Sequence, residues 1–145
     1  MRRALALVLM AAACAAQAAT LKATLLTRAD DARMTRDRTE RAYFGHPGGP
    51  LADGVQVALD EGKFELESAG TSVALAQDSA GDIASARAAA VKAEKAGAAI
   101  LLTDLPAEWT AAVADAVKLP VLNIGDASDE LRAQNCRANL WHLLP

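Results

Sequence analysis

Two histidines, two cysteines and a scatter of carboxylates are what this chain offers to acid–base, nucleophilic or metal chemistry. Any Ser-His-Asp or Cys-His scheme must run through His46 or His142. His142 lies inside the apolar run from Ala138 to Leu143 and reads as a satisfied core residue. His46 sits in Gly45-His46-Pro47-Gly48-Gly49-Pro50, where it is placed to touch a ligand, but no nucleophile is patterned beside it. That glycine-rich stretch lacks the Lys-Ser/Thr of a P-loop and the G-x-G-x-x-G spacing of a dinucleotide fingerprint, so nucleotide binding is not expected. Asp60 and Glu61 look like a carboxylate pair, yet adjacent helical positions point apart, and a solvated face is the expectation. Cys136 has no partner once Cys14 is set aside as part of the leader described below, and is expected to be a buried free thiol unless its partner lies in sequence beyond this chain. No group of residues has metal-ligand spacing. The expectation is a protein that is not an enzyme and carries no cofactor or metal.

Two segments suit the holding of a small polar ligand. In Asp104-Leu105-Pro106-Ala107-Glu108-Trp109, backbone amides at a helix start stand with a carboxylate and an indole. Unpaired N–H groups and the helix dipole there favour a negative ligand group. The alternative is that Asp104 caps the helix and Trp109 packs on a sheet. In Gly125-Asp126-Ala127-Ser128, Ser128 either offers its hydroxyl to a ligand or caps the helix that follows. The candidate ligand-binding residues are Asp104, Leu105, Trp109, Ala127 and Ser128, with Tyr43 and His46 from an earlier loop as further contacts.

These residues need elements to carry them, and the chain supplies a repeating rhythm of short apolar run, loop and helix-patterned segment. Strands are expected at Leu21 to Thr27, Thr71 to Gln77, Ala98 to Thr103, Leu119 to Ile124 and Ala138 to Leu143. Helices are expected at Leu51 to Lys63, with Leu51, Val55, Ala58 and Leu59 on one face; at Ile83 to Ala96, capped by Asp82 and ended by Gly97; and at Pro106 to Val117. A short helix follows at Asp129 to Gln134. The continuous apolar run Ala98 to Thr103 is expected mid-sheet, covered on both faces. The fold class is α/β: a doubly wound, mainly parallel five-stranded sheet with right-handed crossovers. The candidate loops all follow strands, so they line the carboxyl edge, where such sheets bind ligands. Arg28 to Gly49, after the first strand, is a long loop of mixed charge.

The opening MRRALALVLMAAACAAQAAT has the charged, apolar and small-residue regions of a secretory signal peptide, Met1 to Ala19, with the cut after Ala18 or Ala19. Its apolar run is shorter than the roughly 20 residues that span a bilayer. Cys14 as a lipidation site is the less favoured alternative, because Ala11-Ala12-Ala13 before it lacks the usual leucine. The formal charge of −3 becomes more negative without Arg2 and Arg3, which argues against nucleic acid and anionic membrane as partners. Aromatics make up 3% of the chain, so the core must be aliphatic.

Taken together, the signal peptide, Gly49-Pro50-Leu51-Ala52-Asp53-Gly54 through Glu61, the run AGAAILLTDLP and the turn KLPVLNIGDASDELR resemble the start of the periplasmic substrate-binding proteins of ABC transporters, in the type I, branched-chain amino acid group. The wording ERAYFGHPGGPLADG is similar to the subgroup encoded beside PQQ-dependent alcohol dehydrogenase systems. The resemblance implies a type I lobe with flavodoxin-like strand order, residues 20–145 forming the first part of lobe one with the second lobe absent. It implies a periplasmic protein that captures a small polar solute, amino-acid-like or related to small organic acids and alcohols, and passes it to an inner-membrane ABC permease by hinge closure. A ligand-sensing module of the same fold, feeding a signalling receptor, is the alternative. The chain departs from the family's pattern in its longer first loop and in lacking a serine-rich stretch after the third strand, where Asp104 and Pro106 stand instead.

Overall fold

The structure, a computed structural model, describes residues 19–30 and 49–143. The predicted signal peptide therefore lies outside the described residues except for Ala19, which opens the first strand. The strands are β1 (Ala19–Arg28), β2 (Thr71–Ala80), β3 (Ile100–Asp104), β4 (Val121–Asn123) and β5 (Leu140–His142). The helices are α1 (Leu51–Ser68), α2 (Ile83–Lys95) and α3 (Ala107–Ala116), with a 3-10 turn at Asp129–Leu131. All strands are parallel, in the order β2-β1-β3-β4-β5. The chain is thus the α/β, doubly wound, five-stranded parallel fold expected from the sequence, with β3 between β1 and β4.

Strand order decides where the helices go. The chain steps from β1 to β2 in one direction and from β2 back past β1 to β3 in the other, so right-handed crossovers put α1 on one face and α2 with α3 on the opposite face. The second face holds the main core. Ala86, Ala90 and Ala93 of α2, buried at spacings of four and three, pack closely with Leu26, Leu101, Val113, Ala114, Val121, Leu131 and Leu140. Small alanines let α2 lie near both the sheet and α3.

Local chemistry sets the element ends. Asp82 accepts a hydrogen bond from the Ser85 amide at 2.6 Å while the Ser85 hydroxyl accepts from the Asp82 amide at 3.0 Å, a reciprocal cap that starts α2. Gly97, at φ +83°, closes α2: its amide donates to Glu94 and the Ala98 amide to Ala93. Asn139 reaches from the approach to β5 to the carbonyls of Ala114, Val117 and Leu119, binding the chain just before β5 to the end of α3.

Several boundaries differ from the sequence expectation. β1 begins two residues earlier and ends one later than Leu21 to Thr27, and β2 runs on past Gln77 to Ala80 because β1 pairs with it along its whole length, from Ala19 opposite Thr71 to Arg28 opposite Ala80. That ladder outweighs the poor strand propensity of Asp78 and Ser79. α1 continues beyond Lys63 to Ser68, as nothing breaks it before Gly70 at φ +70°. Its half-buried stripe is Ala52, Val55, Leu59, Gly62 and Leu66, whereas Leu51 and Ala58, expected on that face, are exposed. No residue of α1 is buried, and Phe64 is 80% exposed. β4, β5 and the last helix are shorter than expected, the latter a single 3-10 turn, because Gly125 to Ser128 and Ala133 to Asn139 are held by turn hydrogen bonds instead. Cys136 is a free cysteine as expected, but it is exposed rather than buried, since it lies in the turn before β5. No helix among the described residues is long and apolar enough to cross a membrane.

Candidate functional site

The carboxyl edge of the sheet is built outward from β3 and β4. β3 ends with Thr103 and Asp104, and the chain turns through the fully buried Leu105 into α3. The Leu105 carbonyl accepts the hydroxyl of buried Thr110 at 3.2 Å, which fixes the turn. Asp104 is therefore the last residue of β3 rather than a loop residue, and the N-cap of α3 is Pro106, which supplies no side-chain cap. Asp104 as the helix cap is thus not the arrangement found. Trp109, in the first turn of α3, is half-buried and packs against the main core, as its structural reading expected.

The turn after β4 is organised by Asn123, which is 0% exposed. Its Oδ1 accepts from the amides of Gly125 at 3.3 Å and Asp126 at 3.0 Å, and its Nδ2 donates to the Asp126 carbonyl at 2.6 Å. The same Nδ2 lies 3.2 Å from Nδ1 of His142. His142 is thus a half-buried, hydrogen-bonded residue, in line with the reading of it as satisfied. Asp126 in turn accepts from the Ser128 amide at 2.8 Å. Ser128 precedes the 3-10 turn and gives it no side-chain cap, so its hydroxyl is not used as the capping alternative required.

These two loops meet. A Cβ built on Gly125 would collide with the Asp104 side chain and stand 2.7 Å from its Cα, so the absence of a side chain at residue 125 is what lets the turn lie against the end of β3. Asp104 is 6% exposed at this contact. Asp104, Leu105 and Gly125 to Ser128 are therefore brought to one place, with Ala127 exposed at its rim. Trp109 stands on the side nearer β1, where the guanidinium of Arg28 lies 5.5 Å from its ring centroid. Tyr43 and His46 fall outside the described residues.

Arg28 and Asn123 are the residues that sequence reasoning missed. The signal for Asn123 is a lone amide inside the apolar run Leu119 to Ile124; for Arg28 it is a cation directly following a strand. Arg28 stands at the switch point between β1 and β3, and Asn123 lies one strand beyond it, on β4 beside Thr103. Asp60 accepts from the Gln56 amide within α1 and is exposed, as a solvated face requires.

The cavities lined by described residues lie away from this edge. One of about 280 Å³ runs between α1 and the start of β2, lined by Gln56, Leu59, Lys63 and Leu66 from the helix. It is the gap beneath a helix that buries nothing, and no converging polar groups of the two loops reach it. Chemically, the carboxyl edge offers backbone amides, an indole and a cation, which suit binding. Among the described residues no group of three or more His, Cys, Asp or Glu is placed to hold a metal ion. Comparison with protein-family models, curated proteins and solved structures found no match to this chain.

Proposed function

We propose that this chain is an exported solute-binding module that takes up a small polar solute at the carboxyl edge of its sheet, and that it serves an ABC permease in the periplasm. The observation that carries the reading is the meeting of the β3–α3 and β4 loops, through Gly125 against Asp104, at the carboxyl edge of a doubly wound sheet whose switch point flanks β3. The leader-like opening, Met1 to Ala19, and the Gly49 to Glu61 wording support export and transport. An edge of this kind presents one wall to its ligand, so tight binding requires a second wall that closes on it, and the affinity expected of this chain alone is weak.

Thermal melting in the presence of a panel of amino acids, short carboxylic acids, alcohols and aldehydes tests the reading. A rise in Tm with one chemical class, beyond that given by sodium chloride at the same ionic strength, is the expected outcome. A flat response across the panel rejects solute binding by this chain.

A further inference from the structure

We propose that Arg28 is the anion-recognising residue of this edge and that the solute therefore carries a carboxylate, held by the guanidinium beside the Trp109 indole. The inference rests on the solute-binding reading and narrows its ligand class.

Arg28 is the last residue of β1, which is flanked by β2 and β3 and so stands at the switch point itself. Its guanidinium stands over the Trp109 ring, 5.5 Å from the centroid, a contact to the ring face that uses none of its N–H groups as hydrogen-bond donors to a carboxylate. The ion pairs among the described residues join Lys63 to Glu67, Lys92 to Asp78, Arg132 to Asp129 and Arg137 to Asp115, and Arg28 takes part in none. In a chain with more acids than bases, a cation docked on an aromatic ring and given no carboxylate by the described residues suits one from outside.

Thr103 gives a second, independent observation. It pairs in register with Leu26, so it lies on the same face as Arg28, two residues further along β1. It is 0% exposed, and its Oγ1 has no hydrogen-bond partner. Orphaned buried hydroxyls are rare and costly, and one placed at a candidate ligand edge has a use when a ligand oxygen reaches it. The first amides of α3, which carries Trp109, are likewise without a side-chain cap, whereas Asp82 and Ser85 fill those of α2. Asp104 does not oppose an anion here. Strand alternation puts it on the other face from Thr103, with its carboxylate against Gly125.

The test uses the full chain carrying Trp141→Phe, so that Trp109 supplies the one indole N–H signal. Sodium glutarate and 1,5-pentanediol, a neutral counterpart of equal length, are titrated in turn while that signal and Tm are followed, with sodium chloride as the ionic-strength control. Glutarate is expected to move the indole signal and raise Tm, and the diol to do neither. Arg28→Gln is expected to weaken the glutarate response by about tenfold or more, the loss of a charge-assisted hydrogen bond, with Arg28→Lys partly retaining it. Thr103→Val is expected to weaken the response while raising the melting temperature of the free chain, which separates a ligand role from a folding one. An undiminished response in Arg28→Gln, or a response to the diol and not to glutarate, overturns the assignment of Arg28 and leaves solute binding standing. No response to either compound, with a flat panel, overturns both.

Discussion

A methyl group at Gly125 would stand 2.7 Å from the Cα of Asp104 and 2.8 Å from its carboxyl carbon, so Gly125→Ala must push the β4 turn off the end of β3. Neither neighbour is the free end of a flexible side chain, since Asp104 is buried at the close of a strand. The substitution is expected to cost about 2 kcal/mol, read as a lower urea midpoint at unchanged slope. Any solute response is expected to fall with it, because the displaced turn carries Ala127 and Ser128. None of this was legible in the sequence, where Gly125 reads as an ordinary turn glycine. A close approach between loops separated by a helix and a strand depends on the β3–β4 register, which residue types do not reveal. Asn123 is the intermediate case: a polar residue in an apolar run announces that something buried needs it, but not that it folds the turn ahead of it.

Elements were more legible than contacts, and among the helices the starts of α1 and α2 were more legible than their ends. Asp82 and Gly97 bound α2 as their types suggest, because capping and left-handed backbone are local chemistry. The extra residues of β2 come from a partner strand far away in sequence, which local reading does not see. Beside the Asn139 hydrogen bonds, a second tie between α3 and the turn before β5 is electrostatic: Arg137 grips Asp115 with two bonds of 2.9 and 2.8 Å. Hydrogen bonding by Arg137 holds the Asp115 carboxyl below its usual 3.8. A carboxyl lowered in the folded state stabilises above its unfolded pKa, and that contribution fades as pH falls through the lower folded value. Asp115→Asn is therefore expected to be less stable than the parent at neutral pH and to converge with it as the solution is acidified below the carboxylate range. The difference is small, because the Asp115 side chain is 53% exposed to solvent. Urea midpoints across a pH series measure it.

At the scale of the whole molecule, the two faces of the sheet are unequal. α2 and α3 share a sealed aliphatic core, while α1 contributes no buried residue and leaves Val57 54% and Phe64 80% exposed. Stability should follow packing, so amide exchange is expected to be fastest in α1 among the three helices and slowest in β1 and β3, with α2 between. Equal protection of α1 and α2 would contradict it. The interior place of β1, between β2 and β3, has another result, for the order in which the molecule is made. β1 is the earliest strand to be synthesised, yet one of its flanks waits for β2 and the other for Ile100 to Asp104 of β3. Its inward residues Leu25 and Leu26, both 0% exposed in the finished fold, stay uncovered until most of the chain has emerged. Pairings this distant are slow to close. The nascent chain thus remains unfolded through most of its own synthesis, a state in which it can be handed to other machinery before the sheet seals.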